Sequence, residues 1–226
     1  MATPTKGNTT NSSATPGASS KNYTHTQNTG DDGLIVVQLS MTNNRNFTGA
    51  TYGGEAMTQL YQINRGGLGQ KMAFYYLENP PTGSNTLTLS FSASVWNGVS
   101  VHIRSFTDSG GVGASNRTGG QPSPHSGDIT VEEDSLIMIT SCCVNVILTQ
   151  QIPTGTNRTF TTHNVNRQVA TGAISANAGH SAGTINVRAT SASGNLTLDR
   201  TEIKGLGGSV DTSGGCLLYT SDAADE

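Results

Sequence analysis

Strict alternation is the feature that most narrows what this chain can fold into. In Thr86-Leu-Thr-Leu-Ser-Phe-Ser92, Leu87, Leu89 and Phe91 fall on one side, and Thr86, Thr88 and Ser90 on the other. Gly98–Phe106 repeats the pattern with Val99, Val101 and Ile103 inward. A period of two belongs to a strand with one buried and one wet face. No segment sustains the 3.6-residue period of an amphipathic helix.

Other segments read as strands of a different kind. Gly33-Leu-Ile-Val-Val-Gln-Leu-Ser-Met41 is a continuous apolar run, expected for a central strand covered on both faces. Ser135–Val144 is equally dense. Lys21–Gln27, Phe47–Tyr52, Glu55–Ile63, Gln70–Leu77, Asp128–Val131, Thr159–His163, Arg167–Ile174, Thr184–Thr190 and Asn195–Ile203 complete about a dozen short strands. Gly53-Gly54 and Asn79-Pro-Pro-Thr-Gly83 punctuate them as turns. Glu132-Glu133-Asp134 suits a hairpin tip, residues 107–126 read as a long Gly/Ser/Pro loop, and 145–157 are ambiguous. The expected fold is all-β: a two-sheet antiparallel sandwich, jelly-roll-like or immunoglobulin-like. The Cys–Trp–Cys order of immunoglobulins is absent, since Trp96 precedes Cys142 and Cys143.

Composition agrees. Charged residues are 12% of the 226, low for solvent-facing helices, and Thr, Ser, Asn and 28 Gly fill the gap. Residues 1–20 are expected to be a disordered arm, 21–204 one β-sandwich domain, and 205–215 a Gly-rich linker. Cys216–Glu226 resembles a translated sequencing-library adapter, which implies an environmental source and a gene cut at that point. Without Asp222, Asp225 and Glu226, twelve acids face twelve bases. No basic run points to nucleic acid, and no apolar stretch reaches the roughly 20 residues of a membrane span. The N-terminus carries no signal-peptide h-region, so the protein is expected either to stay inside the cell that made it or to leave by a route other than general secretion, such as a virion.

Leu34-Ile-Val-Val, Thr51-Tyr-Gly-Gly-Glu-Ala-Met-Thr58, Phe74-Tyr-Tyr-Leu-Glu-Asn-Pro-Pro-Thr-Gly-Ser-Asn-Thr-Leu-Thr88 and Val101-His-Ile-Arg-Ser-Phe-Thr107 occur in an order that resembles a family of β-sandwich modules. These modules occur in virion and tail-associated proteins of bacteriophages and in large bacterial surface or secreted proteins. The resemblance covers about residues 22–204. It implies a structural or adhesive role and brings no catalytic motif.

The residues offer little chemistry. The histidines (25, 102, 125, 163 and 180) have no zinc-ligand spacing. His102 is expected at a solvent or inter-sheet position, while His125 in the long loop is a candidate for a binding surface. Adjacent Cys142 and Cys143 point to opposite faces of a strand and are expected as free thiols. No Gly-x-Ser-x-Gly elbow occurs. Glu55, Glu78 and Asp108 are the acids a glycosidase reading would need, but each sits beside a turn and is expected to be solvated. Calcium is the least improbable metal, yet Asp31-Asp32-Gly33 and Glu132–Asp134 lack the spaced acids of a calcium loop. No cofactor is expected. Trp96, beside the Asn97-Gly98 turn, is the second candidate ligand-binding residue, a platform for a sugar ring. The expected function is a non-enzymatic virion structural or tail-associated protein, located in the virion and partnered by other virion or surface proteins. The alternative is a carbohydrate-binding or adhesive module at a cell surface, with a cell-surface glycan as partner.

Overall fold

The computed structural model describes residues 2–207, except 15–16, 29, 43–44, 66–69, 96–97, 121–123, 144–146, 153–160, 166–167, 174–180 and 192–195. The described residues form seventeen strands in four antiparallel sheets, with no helix. The first half comprises β1 (Thr5–Ala14), β2 (Ser20–Gln27), β3 (Leu34–Thr42), β4 (Phe47–Tyr52), β5 (Glu55–Ala56), β6 (Thr58–Arg65), β7 (Gln70–Glu78), β8 (Gly83–Phe91) and β9 (Val99–Thr107). The second comprises β10 (Ser109–Gly120), β11 (His125–Val131), β12 (Leu136–Cys143), β13 (Ile147–Gln151), β14 (Thr161–Val165), β15 (Gln168–Ala173), β16 (Gly183–Ser191) and β17 (Leu196–Gly205).

The wiring of the first half is nested. β1 pairs with β9, β2 with β8, β3 with β7, and β4 with β5. This is the wrap of a jelly roll. It yields one sheet ordered β1-β9-β3-β7-β6 and a facing sheet ordered β2-β8-β4-β5. The second half repeats the wiring, as β10-β17-β12-β15-β14 and β11-β16-β13. The correspondence extends to irregularities. The register shifts between Lys6↔Phe106 and Thr9↔Arg104 in β1, and between Val112↔Ile203 and Ser115↔Thr201 in β10. β8 and β16 both begin at a positive-φ glycine, Gly83 and Gly183, and positive-φ Asp32 and Asp134 precede β3 and β12. The sequences there match as well: Asp31-Asp-Gly-Leu-Ile-Val-Val37 against Glu133-Asp-Ser-Leu-Ile-Met-Ile139. The chain is a tandem pair of one sandwich design.

The sheets stack as four layers with three buried clusters between them. One fills the first sandwich (Val37, Leu39, Tyr52, Leu87, Leu89 and Val101 among others), and another fills the second (Ile137, Ile139, Val187, Leu196 and Leu198 among others). The third joins them back to back: Leu34, Val36, Met72, Phe74 and Phe106 meet Leu136, Met138, Cys142 and Ile203. The two continuous apolar runs thus have one explanation. β3 and β12 are equivalent strands, each with one face in its own sandwich and the other in the shared layer.

Several expectations need correction. The all-β antiparallel sandwich stands, but 21–204 forms four sheets rather than one two-sheet sandwich. Residues 1–20 are not a disordered arm throughout, because β1 pairs along β9. Polar Thr, Asn and Ser serve an edge strand held by its ladder and by side-chain hydrogen bonds, Thr10 to His25 and Asn11 to His102 among them. The loop expected over 107–126 contains the twelve-residue β10. Its glycines obscured it, yet they are required: a Cβ on Gly110 would lie 2.5 Å from the Gly205 carbonyl oxygen, and one on Gly113 would overlap the Glu202 carboxylate. Glu132–Asp134 is a corner rather than a hairpin tip, since β11 and β12 lie in different sheets. Of the expected linker, Gly205 ends β17 and Leu206 bridges to Ala2, while 208–226, with the adapter-like stretch, lies outside the described residues.

The Gly53-Gly54 and Asn79–Gly83 turns touch. Gly53 (φ 58°) and Gly54 (φ 88°) join β4 to β5, and a Cβ on Gly53 would lie 2.6 Å from Pro81 Cγ. Asn85 Nδ2 donates to the Pro81 and Thr82 carbonyls at 3.1 and 3.0 Å, fixing the reversal before β8.

Candidate functional site: an open groove between the two sandwiches

The shared layer behaves like an isologous interface, in which equivalent surfaces face each other across a pseudo-two-fold axis. Gln38 pairs with His102 in the first half as Thr140 pairs with Asp199 in the second, so Gln38 and Thr140 are equivalent. Gln38 Nε2 donates to Thr140 Oγ1 itself, and to the Ile139 carbonyl at 3.3 Å. Contact between equivalent positions marks the axis.

The two ends of this layer differ. At one end β14 lies against β1 and β9. At the other, the equivalent strand β6 stands off from β10 and β17 and leaves an open groove of about 710 Å³. Gln62 and Asn64 come from β6, Arg117 and Thr118 from β10, and His125 and Ser126 from β11. Among the described residues the lining is mostly polar, with Ile63 its one large apolar side chain. The volume lies within the range of small-molecule sites.

Beneath the groove is a buried polar cluster. The Arg117 guanidinium lies over the Tyr61 ring, 4.2 Å from its centroid, and its Nε is 3.4 Å from Asp199 Oδ1. Thr201 Oγ1 donates to Asp199 Oδ2 at 2.8 Å. Burial pushes the Asp199 carboxyl up to about 6, against the opposing pull of Thr201, Tyr61, Arg117 and Arg200. Burial also raises the Tyr61 hydroxyl well above its ordinary range. Behind Thr118 sits Arg200, fully buried, donating from Nη1 to Thr118 Oγ1 at 3.0 Å. Among the described residues, its Nε and Nη2 have no hydrogen-bond partner. Gly127 makes room for it, since a Cβ there would lie 2.5 Å from Nη1.

Of the two candidate residues, His125 lines the groove and Trp96 lies outside the described residues. His102 is inter-sheet and buried, with Nδ1 2.9 Å from Asn11 Oδ1. Cys142 is a buried free thiol in the shared layer. Arg117 and Asn64 escaped sequence reasoning, because nothing local marks them and only the duplicated wiring brings β6 to β10. The repeat Asp31–Val37 against Glu133–Ile139 was the signal that could have exposed that wiring.

Among the described residues, no group of three or more His, Cys, Asp or Glu side chains is placed to hold a metal ion. Asp31 and Asp32 instead line a small cavity of about 210 Å³ with Gln27, Asn28 and Asn79. No helix among the described residues is long and apolar enough to cross a membrane. The fold and groove together define a tandem β-sandwich with a polar cleft at its internal junction. Comparison with protein-family models, curated proteins and solved structures yields no match.

Proposed function

We propose that this chain is a non-enzymatic structural component of a virion, tail-associated or otherwise, in which the paired sandwiches form a scaffold for assembly or host-surface contact. The observation that carries the reading is the back-to-back duplication. The shared layer buries an apolar cluster of its own, running from Leu34 and Phe74 to Leu136 and Ile203, so the two units make one continuous buried stack suited to a building block. The ordered turns Gly53-Gly54 and Asn79–Gly83, on which the resemblance to phage and surface modules rests, add support.

A carbohydrate-binding or adhesive role at a bacterial surface is the second reading, and the polar groove favours it. The genes flanking this one on an intact contig test the choice. Capsid, portal or tail genes are the expected neighbours. A polysaccharide-utilisation cluster or sortase signals would overturn the virion reading in favour of the second.

A further inference from the structure

We propose that the groove between β6 and β10–β11 binds a carboxylate-bearing saccharide, with Arg117 receiving the carboxylate and Gln62, Asn64, Thr118 and Ser126 bonding the hydroxyls. This deepens the surface-contact reading above and rests on it.

The groove is a departure from the pseudo-symmetry rather than a generic crevice. Its symmetry mate is occupied by β14, whereas β6 leaves this end open. Arg117 is held ready for a ligand: its face rests on Tyr61, its Nε is paired with Asp199, and its Nη2 donates to Ser115 Oγ at 3.4 Å. Nη1 has no partner among the described residues. A guanidinium fixed this way loses little freedom on receiving a carboxylate. Among the described residues that line the groove none is acidic; the nearest carboxylate, Asp199, lies beneath it, paired with Arg117. Primary amides both donate and accept, as sugar hydroxyls do, which suits Gln62 and Asn64 to a polyhydroxylated ligand. The sparse apolar lining disfavours a lipid, and the lack of an aromatic platform disfavours single-stranded nucleic acid.

The groups facing Asp199 add a pH signature. Tyr61 from β6, Arg117 from β10, and Thr201 and Arg200 from β17 surround it; Asp128 on β11 faces Arg200. When Asp199 takes up a proton, Arg117 loses its counter-charge and attracts the ligand carboxylate more strongly. Asp199→Asn removes this counter-charge at every pH.

The test is calorimetric titration of the full chain with a galacturonic acid tetramer, a matched neutral galactose tetramer and a short polyglutamate peptide, at pH 5.5 and 7.5. We expect the acidic saccharide to bind about tenfold or more tightly than the neutral one, a charge-assisted contact making the difference. Binding should be tighter at pH 5.5. R117K should weaken it about tenfold by losing the fork, and S126W, which fills the exposed mouth without touching a core, should abolish it. D199N should bind at pH 7.5 as the wild type does at pH 5.5. Equal binding of the two saccharides, preference for the peptide, no saccharide binding, or binding indifferent to S126W would each overturn the proposal. None of these results bears on the virion reading, which the flanking genes decide separately.

Discussion

The two sandwiches share a wiring diagram and differ in what they bury. The first fills its interior with aromatic and aliphatic side chains, and its central last strand carries Ile103 toward that interior. The second carries Arg200 at the position equivalent to Ile103. On the shared face the equivalent pair is His102 and Asp199. One backbone plan therefore tolerates either an apolar or a charged middle. The charged version must recruit partners for its buried ions: Thr118 and the space above Gly127 for Arg200, and Thr201 and Arg117 for Asp199. The groove adjoins the half that buries charge.

The largest expected effect tests whether the halves are energetically one unit. Phe74→Ala empties the shared layer and should cost about 3–5 kcal/mol. Urea denaturation followed by Trp96 fluorescence and by circular dichroism should give one coincident, destabilised transition. Two separated transitions would mean that the halves fold independently of that layer.

Next comes pH, where the halves should respond with opposite sign. Asp199 titrates at about 6 when folded, against an ordinary 3.8, so the folded state holds its proton more tightly than the unfolded chain. Its contribution to stability falls as pH rises from about 4 to about 6, by on the order of 3 kcal/mol. His25 is the converse: burial between Thr10 Oγ1 at 2.9 Å and Ser105 Oγ at 2.8 Å pushes it down to about 4. Its contribution falls as pH drops from about 6.5 to about 4. In urea titrations across pH 4–7.5, H25Q should flatten the loss toward acid, and D199N should remove the opposing gain. A D199N profile identical to the wild type would refute the asymmetry.

A smaller effect concerns Arg200. Replacing a buried ion whose hydrogen bonds are incomplete by an apolar residue of similar length is commonly neutral or stabilising. Arg200→Met should therefore raise the denaturation midpoint by the equivalent of about 1–2 kcal/mol and make the second half resemble the first. A loss would show that the cation is integral to that core.

The smallest prediction concerns the duplication itself. Asp32 (φ 47°) and Asp134 (φ 62°) occupy the same left-handed position. Asp32→Gly and Asp134→Gly should each shift stability by less than about 1 kcal/mol, and in the same direction. Opposite signs would mean that the two corners are not equivalent.

Much of the fold was legible because period-two alternation is a local property. β8 shows it plainly, the run in β3 announced a strand buried on both faces, and the run in β12 announced a dense apolar strand. β10 was not legible, because its glycines answer to close contacts with Gly205 and Glu202, far away in sequence. The corner at Glu132–Asp134 looks like a hairpin tip because a reversal between strands reads the same whether or not they share a sheet. The groove was legible only through His125. Its other members depend on how two sheets stack, and no local pattern encodes that.

The nested pairing has a consequence for how the chain reaches this state. In the first half the innermost pair, β4 with β5, closes across the two-residue Gly53-Gly54 turn. Each later pair must span everything inside it, out to β1 with β9. Loop closure grows costlier outward, and non-local pairing slows folding. The zipper should start at Gly53-Gly54 and finish with β1. For a time each new chain then displays an unpaired edge along β9, which a β1 strand from a neighbouring copy could fill.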